Sequence, residues 1–388
     1  FCWLMSKVFR LVSPKIKLIS GECVFFLISA NEAPGSTTKK IVTMPRQVHL
    51  IILLLFMSTL LSAQQRPRDY GIPFGALPTG INNAITDVPG VQVGQVTNIR
   101  GKKIRTGITA ILPHEGNVFQ QKVPAAIYLG NGFGKLMGYS QVAELGNIET
   151  PIVLTNTLSV PIAANGIIEY ILNQNGNENV RSVNPVVGET NDGRLNDIRS
   201  QPITKKQVIE AIESVDTGGV QEGNVGAGTG TVCFGWKGGI GTASRKIGDY
   251  TLGVLVQTNF GGNLKIGGVD FSDLYRTHQQ AKSGKEDKDG SCMIIVATDA
   301  PISDRNLERL AKRAMLGLAR AGGIASNGSG DYVIAFSNAK ANRIPYQTDQ
   351  AILQKQELRN ARMTPFFQAA IDATEEAIIN SLFAAETM

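Results

Sequence analysis

Residues that usually carry chemistry are scarce in this 388-residue sequence, and each scarcity excludes something. There are three histidines, at positions 49, 114 and 278, and no His-Glu-x-x-His spacing, so a helical zinc-hydrolase motif is absent. Ser329 sits between Gly328 and Gly330 without the strict Gly-x-Ser-x-Gly elbow, and neither His114 nor His278 stands in a nucleophile context. The four cysteines form no Cys-x-x-Cys pair, which removes that metal and redox signature. Gly226-Ala227-Gly228-Thr229-Gly230 does not follow a strand in the dinucleotide-binding pattern, and no Gly-Lys pair precedes Ser or Thr, so nucleotide binding is disfavoured. Glycine itself is plentiful, 42 residues with a concentration over 223–241, and close backbone packing near a site explains that stretch better.

Long hydrophobic runs are lacking too. The longest, over 48–61, falls short of the roughly 20 residues that span a bilayer. It follows Met44 and Arg46 and ends in Leu61-Ser62-Ala63, the pattern of a secretory signal peptide with a small-residue cleavage site. The sequence is therefore expected to divide into an upstream extension (1–43), a signal peptide (44–63) and a single domain (64–388), placed in the periplasm or secreted with no membrane association. The formal charge of +6 is an effect of the leader: residues 1–63 hold seven of the 38 basic and two of the 32 acidic residues, which leaves 31 against 30. A balance this even gives no electrostatic reason to expect nucleic acid. Of the cysteines only Cys233 and Cys292 remain, both in apolar runs that suit free buried thiols, although a single pair leaves a disulfide open.

Short apolar runs alternate with amphipathic stretches. Strands are expected at 107–112, 125–129, 152–156, 183–187, 231–236, 252–259, 292–297 and 332–336, and helices at 161–173, 205–215, 303–321, 350–362 and 365–385. The 303–321 helix is marked most clearly, with Ser303 at its start, Leu307, Leu310, Ala311, Ala314 and Leu318 on one face, and Gly322-Gly323 as a stop. Arg305, Arg309, Lys312 and Arg313 fall off that face, as a solvated surface requires.

The chemistry concentrates at Lys288-Asp289-Gly290-Ser291-Cys292-Met293-Ile294-Ile295-Val296-Ala297, where a charged loop meets a hydroxyl residue that opens a buried-looking strand. If the Gly290-Ser291 bond breaks, Ser291 carries a nucleophile and an α-amine on one residue. Such an amine, with a reference pKa of about 8, can replace imidazole as the base. Gly290 suits a break because, lacking Cβ, it permits strained geometry and leaves its carbonyl open to attack. Alone, a Gly-Ser dipeptide at a loop-to-strand boundary is an ordinary turn.

The neighbouring words change its weight. Asn83-Ala84-Ile85-Thr86-Asp87-Val88-Pro89-Gly90, Gly290-Ser291, Ala297-Thr298-Asp299-Ala300-Pro301, Gly317-Leu318-Ala319-Arg320 and Ser329-Gly330-Asp331 occur in this order. From Arg66 to about Ser337 the chain resembles the self-cleaving L-aminopeptidase/D-amidase-esterase family and the related β-peptidyl aminopeptidases. The resemblance implies an α/β fold, a four-layer αββα sandwich, self-cleaved into two chains, 64–290 and 291–388, and an oligomer of cleaved pairs. It implies that Ser291 is the nucleophile, assisted by Ser329 and Asp331, and that Asn259 in Val256-Gln257-Thr258-Asn259-Phe260-Gly261 stabilises the oxyanion. Glu189 in Val186-Val187-Gly188-Glu189-Thr190 is implied to receive the substrate's ammonium. Asn191, also placed at the substrate, stands where the family carries an aromatic ring, which leaves substrate preference open.

The expected function is therefore an exported, self-processing serine aminopeptidase acting on small peptides, amides or esters, with no metal and no organic cofactor. The choice among L-α, D-α and β-amino substrates stays open. Two other readings are an acyl transferase similar to the ornithine acetyltransferases, which use threonine at the new terminus, and an uncleaved binding protein on the same scaffold.

Overall fold

The computed structural model describes residues 65–273 and 290–388. The expected leader, the polar linker up to Asp289 and His278 lie outside the described residues. Among the described residues no helix is long and apolar enough to cross a membrane.

The described residues form a mixed α/β arrangement with fifteen strands. In chain order these are β1 (Gln92–Arg100), β2 (Ile104–Leu112), β3 (Gln121–Gly132), β4 (Asn147–Ile148), β5 (Ile152–Asn156), β6 (Val186–Thr190), β7 (Val232–Cys233) and β8 (Trp236–Lys237). They continue with β9 (Ile240–Ile247), β10 (Tyr250–Asn259), β11 (Lys265–Ile266), β12 (Val269–Asp270), β13 (Ser291–Thr298), β14 (Gly330–Ser337) and β15 (Ile344–Pro345). One sheet runs β1-β2-β5-β6; the other runs β15-β3-β14-β13-β10-β9, with β4 added to β3. The pairs β11-β12 and β7-β8 stand apart as hairpins.

The two sheets share a core. Ile111, Ile152, Leu154 and Val186 of the first pack in one cluster with Leu255, Met293, Ile295, Ile334 and Phe336 of the second. The outer face of the first sheet is covered by α2 (Val160–Leu172) and α3 (Lys205–Glu213), whose Ile167, Ile171, Val208 and Ile212 meet Ile108, Val153 and Val187. Against the second sheet lie α4 (Asp304–Ala321) and α5 (Thr364–Phe383); α1 (Tyr139–Leu145) follows β3. β13 and β14 are buried along their whole length on both faces, which is why their sequences read as continuous apolar runs instead of alternating ones.

The 303–321 helix forms as its pattern requires, its apolar face buried and Gly322 capping it at φ 101°. Its basic face is less bare than a solvated surface: Arg309 and Arg313 stack on the Phe367 ring and Lys312 on Tyr128. The expected strand over 231–236 is instead the β7-β8 hairpin, because Phe234 and Gly235 both adopt positive φ (51° and 77°) and turn the chain back. The expected helix over 350–362 is absent apart from one turn at Asn360–Arg362. Extended backbone there finds partners that a helix would forfeit: Gln356 exchanges two 2.8 Å hydrogen bonds with the Asn342 side chain, and the Leu358 N–H donates to Pro301 O.

A buried ionic group ties the beginning of the described chain to its end. The Glu376 carboxylate on α5 receives Arg68, the fully buried Arg245 and the Asn83 amide, at 2.5, 2.6 and 2.7 Å. Removing the Glu376 carboxylate would leave the fully buried Arg245 without its counter-charge, at a cost of about 3 to 5 kcal/mol.

Candidate active site

The site forms where the two sheets meet at the head of β13. In the β10-β13 ladder Asn259 stands opposite Ser291, and in the parallel β13-β14 ladder Ser291 aligns with Gly330 and Cys292 with Asp331. Side chains alternate along a strand, so the Ser291 hydroxyl shares its face with Met293 and Ile295, towards the first sheet. The same alternation puts the Asp331 carboxyl on the face of the Cys292 thiol. Asp331 is therefore placed beside the backbone at the start of β13, and not against the serine oxygen.

The surroundings of the bond before Ser291 are specific. The Gly330 N–H lies 3.0 Å from Gly290 O and 3.2 Å from Ser291 Oγ, so one donor serves both the carbonyl and the hydroxyl that would attack it. A glycine is required at 290 by crowding: a Cβ there would lie 2.2 Å from Asn259 O and 2.5 Å from Phe260 Cα.

Ser329 and Asp331 are each 1 % exposed, and neither the Ser329 hydroxyl nor either Asp331 carboxylate oxygen completes a well-formed hydrogen bond among the described residues. Burial pushes the Asp331 carboxyl up to about 6, against weaker pulls from the Ser329 hydroxyl and the Cys292 amide. Asn131 of β3, which sequence reasoning missed, holds the Ser326–Ser329 turn by donating to the Ser326 and Ser329 carbonyls.

Glu189 ends β6 in the opposite sheet. It is 3 % exposed and accepts the Lys135 N–H at 2.9 Å and the Thr157 hydroxyl. Burial raises its pKa, and those two donors together with the Lys135 charge oppose the rise. The Gly130-Asn131-Gly132-Phe133-Gly134-Lys135 word, also missed, closes the space between the sheets. Gly134 packs so tightly on Gly330 that a Cβ on the latter would lie 2.7 Å from Gly134 Cα and 3.2 Å from Ser291 Oγ. Tyr332 donates its phenol hydrogen to Gly134 O at 2.9 Å. Repeated glycines on a strand end were the available signal.

Asn259 is held at both ends of its carboxamide: Oδ1 accepts the Val232 N–H and Nδ2 donates to Asn191 O, each at 2.9 Å. Asn191 thus enters the site through its carbonyl, while its side chain turns back to the Gly193 N–H at 2.9 Å. His114 is a buried structural residue, donating from Nε2 to Gln121 O and accepting the Gly116 N–H at Nδ1. Cys233 and Cys292 are free and buried, and burial holds both thiols above their ordinary pKa. No cluster of metal-ligating side chains occurs among the described residues.

The sequence model of Peptidase family S58 matches residues 83–388. A β-peptidyl aminopeptidase of Sphingosinicella microcystinivorans is 39 % identical over 348 residues, 83 % of this chain and 86 % of its own. A solved structure from Pyrococcus horikoshii is similar at a TM-score of 0.76 and 46 % identity, covering 84 % of this chain and 93 % of the other. The L-aminopeptidase D-Ala-esterase/amidase of Ochrobactrum anthropi, described as a variant of the Ntn-hydrolase fold, gives 0.76 and 37 %, covering 83 % and 91 %.

Proposed function

The chain belongs to peptidase family S58, and from that premise we propose a self-processing enzyme that removes N-terminal residues from small peptides, amides or esters. It is a serine aminopeptidase of the N-terminal-nucleophile class. The observation that carries the proposal is the shared Gly330 N–H, which brings Gly290 O and Ser291 Oγ to one donor.

In the first reaction Ser291 Oγ attacks the Gly290 carbonyl carbon, the C–N bond breaks, and the Ser291 nitrogen leaves as the α-amine. Water then hydrolyses the Gly290 ester, freeing Oγ. In each later turnover Oγ attacks the acyl carbon of a substrate, Asn259 Nδ2 supports the oxyanion, and the Ser291 amine with Ser329 and Asp331 handles the proton. The lone Asp331 carboxylate, beside the start of β13, is where a new ammonium gains its counter-charge. This reading includes a four-layer αββα sandwich cut into chains 64–290 and 291–388, export through the 44–63 leader and assembly as an oligomer of cleaved pairs. Two β-peptidyl aminopeptidases, 39 % and 37 % identical, favour a substrate with a β-amino N-terminal residue. A panel of L-α, D-α and β-aminoacyl amides tests this: turnover of the α-series alone would reject the β preference, and turnover of none would reject the aminopeptidase reading.

Two results are expected from the carboxylates. Because Asp331 stays protonated up to about pH 6, processing of the intact chain is slow below that pH and reaches a plateau above it. In cleaved enzyme the Ser291 amine must be neutral to take the Oγ proton, so the acid limb of amide hydrolysis follows that amine instead of Asp331. Asp331→Asn should remove the limb from the processing profile, and a processing rate flat from about pH 5 to 7 would count against the assignment. Glu189→Gln should raise KM about 10- to 100-fold with kcat nearly unchanged, the worth of one charge-assisted contact. An unchanged KM would remove Glu189 from ammonium recognition.

A further inference from the structure

One half-buried lysine takes no part in the chemistry above. Lys237, on the second strand of the β7-β8 hairpin, turns its ammonium inward and donates to Gly228 O at 2.9 Å and Gly238 O at 2.7 Å. Burying an amine is costly without partners, and two carbonyls seldom justify a lysine where leucine would fill the space. The reason lies in what the hairpin holds. Val232 is paired with Lys237 across the hairpin, and the Val232 N–H is the donor that fixes Asn259 Oδ1. Gly228 and Gly238 flank this pair, joined to it through Thr231, whose hydroxyl donates to Gly228 O and whose carbonyl accepts the Gly238 N–H.

The other end of the carboxamide is held by Asn191 O, and the next residue, Asp192, is 1 % exposed. Its Oδ1 accepts the Asn196 amide at 2.9 Å, and it packs against Gly230 so closely that a Cβ on the glycine would lie 3.0 Å from Asp192 Cβ. The charge facing the Lys237 ammonium is this carboxylate, the neighbouring Cys233 thiol being kept neutral by burial. The two arms of the Asn259 clamp thus carry opposite charges on either side of the Gly228-Gly230 turn.

We propose that Lys237 is a positioning residue for catalysis: with Asp192 opposite, it fixes the hairpin and loop that aim the Asn259 carboxamide at the developing oxyanion. Burial lowers the Lys237 pKa to about 7, yet two N–H groups suffice for two carbonyls, so the neutral amine keeps the clamp and adds no ionisation of its own to the activity profile. The proposal rests on the oxyanion role given to Asn259.

The test is a double-mutant cycle on cleaved enzyme, with the cleaved fraction quantified on denaturing gels and an aminoacyl amide as substrate. Lys237→Met, of similar length without a donor, should lower kcat about 10-fold with KM within about twofold, because Asn259 acts in the transition state. Added to Asn259→Ala it should lower kcat less than about twofold further, since its target is gone. A full 10-fold loss in that background, or no loss in the parent, overturns the proposal. If Lys237→Met does not fold, Asp192→Asn carries the same expectation in the same two backgrounds. Asn259→Ala alone reports separately on the underlying reading: a kcat unchanged by it would remove the oxyanion role, whatever Lys237 does.

Discussion

Replacing Ser291 by alanine should leave one unbroken chain across 290–291 and lower amide hydrolysis by roughly 10⁶-fold, the scale on which a serine hydrolase loses activity without its nucleophile. The substitution removes one oxygen and little else. The Gly330 N–H keeps Gly290 O as its acceptor at 3.0 Å, so the lost hydrogen bond costs the fold about 1 kcal/mol. A variant that folds, runs as a single band and hydrolyses nothing is the expected result. Two bands, or residual turnover above about one per cent, would show that another group does the attacking.

Gly290→Ala should be nearly as severe, for a different reason. Its new methyl would enter a space bounded by backbone, 2.2 Å from Asn259 O and 2.5 Å from Phe260 Cα, where no flexible side chain can move aside. The strand head must shift by the better part of an ångström, which moves the scissile carbonyl away from the donor it shares with Oγ. Misplacement on this scale costs about 10²-fold in rate, so pulse-labelled chain should persist uncut at least that much longer. Enzyme that is eventually cut should work normally per site, since position 290 is then a chain end. Prompt cutting of Gly290→Ala would mean that the crowding at β13 has no bearing on the reaction.

The sequence makes the strands that carry Ser291 and Asp331 legible because both faces of β13 and β14 are buried, and eight consecutive buried positions leave little room for polar residues. It conceals β1 and β9, whose polar and apolar residues mix without a clean period, and it misleads at 350–362, where side-chain partners from Asn342 and Asn306 outbid helix propensity. In the site the pattern is similar. Ser291, Ser329 and Asp331 stand in recognisable words. What aligns them is register: Asn259 opposite Ser291, and Gly330 abreast of it, are facts of strand pairing that no linear spacing encodes. Lys237 escapes notice because a lysine in a glycine-rich stretch looks like surface until its burial is seen.

The order of the large sheet has a consequence for the two pieces a cut would create. Read from one edge, its strands come from downstream, upstream, downstream, downstream, upstream and upstream of position 290. The halves are laced together like the teeth of a closed zip, and the Glu376 group rivets residue 68 on one to residue 376 on the other. Neither half owns the whole of this large sheet, so parting them would break the β3-β14 and β13-β10 ladders that join them. Synthesis as one polypeptide that is severed afterwards is the simple way to make such an object.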